Sequence, residues 1–382
     1  MSDFTEYLPE LTAIRRDIHA HPELGLEEHR TSDLVARQLE AMGFEVTRGI
    51  GETGLVGTLR RPGSNHAVGL RADMDALPMP EETGLPYAST IPNKMHACGH
   101  DGHTAMLLGA AWRLANDAEF KGTVHLIFQP AEENEGGGEM MVKDGLFERF
   151  PCERIYAMHN RPGMPVGQLS TRVGAISAAI DAVTVTIRGQ GGHGARPEET
   201  TDPIVAASSI VMALQTIVGR NVSPHAPAVV TVGAFLAGSV SNIIPDTARL
   251  EISLRSTTPA LRSELRDRLE RICRTQAESF GATAEFKWLT GYPATINDAT
   301  AVEDATEVAR SLFGPDAMGE LSKPMMGSED FSFLLEKVPG AYIQIGNGNS
   351  TGLHTTTYNF NDELLEPGSR YFHALVRHYC DQ

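Results

Sequence analysis

The sequence predicts an α/β protein: a central sheet with helices on both faces, into which a second, smaller domain is inserted. Three observations predict it. Short apolar runs alternate with helical patterns toward both ends of the chain. A middle segment follows a β-α-β-β-α-β order instead. A chain of 382 residues is also too long for one ordinary core.

Residues 5–42 read as two helices broken at His21-Pro22-Glu23-Leu24-Gly25. Residues 68–73, 122–128 and 154–158 read as buried strands, with a helix after Cys98 between the first two. In such sheets ligands gather beyond the strand C-termini. The polar clusters fall there: Asp73 and Asp75 after one strand, Glu132 and Glu133 after the next, His159 after the third. Near residue 182 the pattern changes. A strand (182–188) leads into a glycine-rich run (189–194), then a helix (203–218) and two strands (228–236, 248–254). A charged helix (259–280) and a strand (283–288) follow, closed by the hinge-like Gly291-Tyr292-Pro293. A later strand (341–345) precedes His354 in a turn. The expected organisation is one discontinuous domain, 1–181 with 294–382, and an inserted domain, 182–293.

The formal net charge of −17 argues against nucleic-acid or anionic-membrane partners, because no basic excess is there to neutralise phosphates. No apolar run reads as a membrane span, and residues 1–9 lack the plan of a signal peptide. Cys98, Cys152, Cys273 and Cys380 are scattered without framework spacing, which fits a reducing, cytoplasmic setting.

The stretch His96-Ala97-Cys98-Gly99-His100-Asp101-Gly102-His103 carries the chemistry. Cys98 and His100, two apart, can reach one ion. A lone Cys-x-His is more often a buried thiol and a capping imidazole, but ligand-type residues at several strand ends change the balance. Glu132 and Glu133 are adjacent in an extended segment and point opposite ways, so one can ligate while the other faces the substrate water. Asp73 and Asp75, two apart at a strand end, can orient ligating imidazoles. Asp101 reads as a cap for the following helix, His103 as a supporting or core residue.

Seven segments, in order from about residue 8 onward, resemble the metal-dependent amidohydrolases that include hippurate hydrolases, N-acyl-amino-acid deacylases, N-acetyldiaminopimelate deacetylases and plant auxin-conjugate hydrolases. They are residues 14–24, 71–77, 96–103, 129–133, 192–197, 242–246 and 327–331. The resemblance implies a zinc-peptidase-like catalytic domain, with a mixed, mostly parallel sheet, and an inserted ferredoxin-like lid or dimerisation domain. It implies two divalent ions per subunit (zinc, manganese, cobalt or nickel) held by Cys98, His100, Glu133, His159 and His354. Glu132 becomes the general base and Asp75 orients a group at the metals. His193 stabilises the tetrahedral intermediate, often across a dimer. Asn242 and Arg255 grip the substrate carbonyl or α-carboxylate, and Gly327 begins a cleft-lining loop.

This chain departs from the pattern twice. Asp73 stands where broader relatives carry a metal-binding histidine, and Thr356 where many carry a proline, so a looser loop is expected around His354. The expected reaction is hydrolysis of the amide bond of an N-acyl amino acid by a homodimer or homotetramer. The alternatives are a dinuclear peptidase acting on short peptides and a non-catalytic binder of the same fold.

Overall fold

A computed structural model describes residues 3–289 and 291–381; Met1, Ser2, Thr290 and Gln382 lie outside the described residues. In chain order the elements begin with α1 (Phe4–Ala20), α2 (His29–Ala41), β1 (Glu45–Ile50), β2 (Gly54–Arg61), β3 (Ala67–Asp73), α3 (His100–Asn116) and β4 (Gly122–Gln129). There follow α4 (Gly137–Lys143), α5 (Leu146–Arg149), β5 (Arg154–Arg161), β6 (Leu169–Thr171), β7 (Gly174–Ser177), β8 (Ala179–Arg188) and β9 (Gly192–His193). Next come α6 (Pro203–Thr216), β10 (Ala228–Ala237), β11 (Ile243–Ile244), β12 (Thr247–Ser256), α7 (Pro259–Ser279) and β13 (Thr283–Trp288). The chain closes with β14 (Thr295–Asn297), α8 (Ala299–Phe313), β15 (Met318–Glu320), α9 (Phe331–Leu335), β16 (Gly340–Gly346) and α10 (Leu365–Cys380).

The chain divides into two compact units. The first comprises Met1–Ile176, Thr295–Lys323 and Asp330–Gln382, the second Ser177–Ala294 and Pro324–Glu329. The first unit holds an eight-stranded sheet in the order β1-β2-β4-β3-β5-β16-β6-β15. Its centre, β4-β3-β5-β16, is parallel. These strands are buried along nearly their whole length, as sheets covered on both faces require. Parallel pairing puts their C-terminal ends on one edge of the sheet, where Asp73, the 130–133 turn, His159 and the loop after β16 all lie.

The second unit is a four-stranded antiparallel sheet in the order β10-β12-β8-β13. Counted along the chain its strands lie fourth, first, third, second from the β13 edge, the ferredoxin-like arrangement. In β8 and β12 buried positions alternate with half-buried ones. The buried face receives Ala206, Ala207, Ile210 and Leu214 of α6 and Leu261, Leu265, Leu269 and Cys273 of α7.

One expectation is corrected here. Pro203–Asn221 is 19 residues long with mean hydropathy 1.4, long and apolar enough to cross a membrane. A third of it is buried in the unit, its helix packing on β8, β10 and β12. A small-residue face built to lie on a sheet raises mean hydropathy without any strand-like run to reveal it.

Candidate metal centre

Helix α3 starts at Gly99, which is left-handed (φ 93°). A Cβ at Gly99 would stand 2.3 Å from Asn160 Nδ2 and 2.7 Å from the Tyr358 hydroxyl, so only glycine fits this close approach. The turn places Cys98 and His100 on either side of the helix start, both buried.

The histidines are sorted by what their Nδ1 atoms do. His100 Nδ1 lies 2.9 Å from the Asp75 carbonyl and 3.2 Å from Asp75 Oδ1. Both are acceptors, so Nδ1 carries the proton and Nε2 presents a lone pair. That Nε2 is buried and has no hydrogen-bond partner among the described residues. His159 follows the same rule: Nδ1 donates to the Asn160 carbonyl (2.7 Å), and Nε2 lies 3.3 Å from Cys98 Sγ. His103 differs. Its Nδ1 meets Asp73 Oδ1 at 2.6 Å, and its Nε2 accepts from the Asn160 N–H at 3.1 Å. Both nitrogens are used inside the protein, leaving none for a ligand.

Glu133 adds a second buried atom, Oε1, which stands 3.3 Å from His354 Nε2 and 3.9 Å from His100 Nε2. The donor atoms of Cys98, His100 and His159 lie within 4.8 Å of one another, as do those of Cys98, Glu133 and His354 and those of His100, Glu132 and Glu133. Cys98 belongs to two of these groups. Orphaned, buried Nε2 and carboxylate oxygens converging beside a thiol are the donor set of a divalent transition-metal site.

The electrostatics point the same way. Burial lowers the His100 pKa, but Asp73, Asp75 and Glu133 outweigh it and raise it to about 10. Burial, then the charges of Glu133 and Glu132, push the Cys98 thiol well above its ordinary value. Burial, then His103, hold His159 well below its ordinary value. A divalent cation reverses the first two, displacing the proton from Nε2 and from the thiol.

Comparisons with known proteins agree. Residues 69–378 match the model of peptidase family M20/M25/M40. The chain belongs to that family. It is 44% identical over 370 residues to a hippurate hydrolase from Campylobacter jejuni, covering 97% of this chain and 96% of the relative. It is 37% identical over 368 residues to an N-acetylcysteine deacetylase from Bacillus subtilis, covering 96% of each. Among solved structures, a dinuclear metal-binding peptidase of family M20 from Bacillus subtilis superposes with a TM-score of 0.87 at 33% identity, covering 99% of both chains.

Asp73 is fully engaged by other side chains of the protein. Its Oδ2 accepts from Arg71 Nη1 at 2.6 Å and its Oδ1 meets His103, so both oxygens are spent. Arg71 also donates to Gln129 (2.8 Å) and Asp330 (3.0 Å), all buried. Asp75 does two jobs at once: Oδ1 faces His100 Nδ1 while Oδ2 accepts the Glu133 N–H at 3.0 Å.

The His354 loop is tethered, which corrects the expectation of looseness. His354 is left-handed (φ 58°), with its N–H on the Ala97 carbonyl at 2.8 Å. Thr356 bonds Glu82 twice: its carbonyl accepts the Glu82 N–H (2.7 Å) and its hydroxyl donates to Glu82 Oε2 (2.8 Å). Asp101 is not a cap: its Oδ2 pairs with Arg15 (3.2 Å) and His19 (2.8 Å), because its side chain points at α1 and not at the orphan amides of α3.

His193, Asn242, Arg255 and Gly327 lie in the second unit. The β9–β11 pair brings the first two together: His193 pairs with Ile243, and Gly194 donates to the Asn242 carbonyl at 2.9 Å. His193 Nδ1 accepts from the Ala195 N–H at 3.0 Å. In the neutral ring this leaves the proton on Nε2, an exposed donor. Arg255 donates from Nη1 to the Met326 carbonyl (2.8 Å), and Gly327 accepts from the Ala178 N–H (3.0 Å).

Sequence reasoning missed Asn160 and Tyr358. Asn160 Nδ2 holds the Cys98 carbonyl (2.6 Å), and the Tyr358 hydroxyl donates to Asn160 Oδ1 (2.6 Å). The available signal was an asparagine directly after a ligand-type histidine at a strand end. Arg71 was also missed, although an arginine within an otherwise apolar strand announces a buried partner.

Proposed function

We propose that this protein hydrolyses the amide bond of an N-acyl amino acid, releasing a carboxylic acid and a free amino acid. Membership of the family and near-full-length likeness to a hippurate hydrolase and an N-acetylcysteine deacetylase make it a metal-dependent amidohydrolase. The observation that carries the reading is the convergence of Cys98, His100, Glu133, His159 and His354, with His100 and His159 fixed as Nε2 donors.

Those five side chains would hold two divalent ions, zinc, manganese, cobalt or nickel, Cys98 being common to two of the candidate donor groups. Bound ions supply positive charge that polarises the amide carbonyl and lowers the pKa of water. Glu132, buried at the end of the β4 turn, takes the proton of the attacking water on a carboxylate oxygen and passes it to the leaving amine. Asp75 keeps His100 in its tautomer and Glu133 in place. His193 offers its Nε2–H to the carbonyl oxygen as negative charge develops there. Asn242 and Arg255 take the carbonyl and the α-carboxylate, for which a guanidinium is suited, and the loop starting at Gly327 lines the cleft.

The proposed assembly is a homodimer or homotetramer in a cytoplasmic setting, where the four unpaired cysteines stay reduced. Edge strand β10 exposes Phe235 (40%) and Leu236 (48%), and α6 exposes Met212 (72%). Apolar groups along a long sheet edge favour pairing with a second copy.

Glu132→Gln tests the mechanism. Turnover of N-benzoyl or N-acetyl amino acids should fall by about 10³-fold with metal content unchanged. Retained turnover at full metal occupancy would remove Glu132 from the role of base. A panel of dipeptides run beside these substrates separates deacylase from peptidase.

A further inference from the structure

The N-terminal segment 14–24 is among the segments that resemble the family, yet no step above uses it. In the structure the loop between α1 and α2 braces both strand ends that carry the site's carboxylates. Leu24 bridges to Ala76, and the Ala76 N–H donates to the Glu23 carbonyl at 2.8 Å, one residue beyond Asp75. The Glu23 carboxylate is spent locally, accepting the N–H groups of Arg30 and Thr31 at 2.8 Å each.

Glu28, at the start of α2, makes no local cap. Its side chain is fully buried and reaches across the chain. Oε1 accepts the Ala131 N–H at 2.8 Å, and Oε2 accepts the Thr53 hydroxyl at 2.6 Å. Ala131 is left-handed (φ 51°) and directly precedes Glu132 and Glu133. An alanine there is disfavoured by the approach of its Cβ to the backbone and persists only where its surroundings hold it. Gly25 adds a steric wall: a Cβ on it would stand 3.0 Å from the Ala131 Cβ and 2.7 Å from Glu135 Oε2. Burying a carboxylate is expensive, and burial followed by other effects, including the facing charge of Asp75, raises Glu28 to about 7. An apolar side chain would pack that space more cheaply but would leave the Ala131 N–H without an acceptor.

We propose that Glu28 is a positioning residue for the reaction, holding the left-handed turn at Ala131 and thereby the directions in which Glu132 and Glu133 point. This rests on the roles given to Glu132 and Glu133 above.

The test combines calorimetric zinc titration with steady-state kinetics on the full chain. Glu28→Ala should lower kcat about 10–100-fold with KM changed less than about threefold, and weaken zinc binding about tenfold. Glu28→Gln should stay within about threefold of wild type, because its amide oxygen still accepts from Ala131 and its NH₂ can donate to Thr53. In a Glu132→Gln background, Glu28→Ala should cost little more. Wild-type kcat and zinc affinity in Glu28→Ala would overturn the proposal. So would a Glu28→Gln loss as large as that of alanine, or full additivity in the double variant. Should Glu28→Ala fail to fold, Gly25→Ala presses on the same turn from the other side, and unchanged kcat and zinc affinity there would overturn it equally. If wild type cleaves no N-acyl amino acid, the reading of the reaction fails, while zinc affinity across the variants still decides the role of Glu28.

Discussion

Two buried polar clusters lie at opposite sides of the start of α3, and they differ in how their charges are balanced. Behind the helix, Asp101 is paired with Arg15 and His19, His19 also with Glu81 (3.3 Å), and Arg15 also with Asp362 (2.8 Å). Each acid there faces a protein cation. In front, Asp75 pairs with His100, and Glu133 faces His100 and His354; the Asp75 acceptors leave the His100 Nε2 as a lone pair. The first cluster carries its own cations and serves the fold. The second is rich in acids and thiol and matches a cation from outside. Adjacent residues, His100 and Asp101, thus belong to different networks with different purposes.

The largest effect should come from unbalancing the first cluster. Asp101→Asn leaves Arg15 and His19 buried without their shared acid and should cost about 3–5 kcal/mol in denaturant titrations, while metal stoichiometry in the folded protein stays as in wild type. Loss of metal at unchanged stability would mean that the clusters are one.

Next is pH. Burial lowers the His19 pKa, but Asp101 and then Glu81 outweigh it and raise it to about 9. A raised histidine stabilises the fold fully below its unfolded value of about 6.5, and that contribution is lost as pH rises through about 9. His19 should therefore contribute a fall on the order of 3 kcal/mol across that window, to which His100, also raised, adds in chelator. The slope should shrink in Asp101→Asn. An unchanged slope in Asp101→Asn would show His19 to be neutral.

The smallest effect falls on the second cluster. Asp75→Asn can keep the bond to the Glu133 N–H only by turning its NH₂ toward His100 Nδ1, which favours the wrong tautomer. Metal affinity should drop about 10–100-fold, with stability in chelator nearly unchanged. Undiminished affinity would leave the backbone carbonyl of Asp75 as the sole orienting group.

The same division explains what could be read from the sequence. The central strands announced themselves as apolar runs, and the inserted unit by alternation in β8 and β12 and the four-residue spacing of Leu261, Leu265 and Leu269. β1 and β2 were not anticipated, because β1 is largely exposed and glycine-interrupted and pairs with β2, which itself joins the sheet on β4. The ligand-type residues were visible because they stand at strand ends. Their supports were not. Asn160, Tyr358, Glu28 and Asp330 act across long separations, and a hydrogen bond between residues 28 and 131 leaves no periodicity to read.

The His354 N–H rests on the Ala97 carbonyl, and β16 runs beside β5. Roughly 250 residues separate Cys98 from His354, about 10–50 s of synthesis at ordinary ribosomal rates. During that interval Cys98 has been made and His354 does not yet exist. If both residues are ligands as proposed, the site waits for residue 354 to be made, and a ribosome-stalled chain ending before β16 should hold zinc far more weakly than the released protein when both are dialysed against chelator.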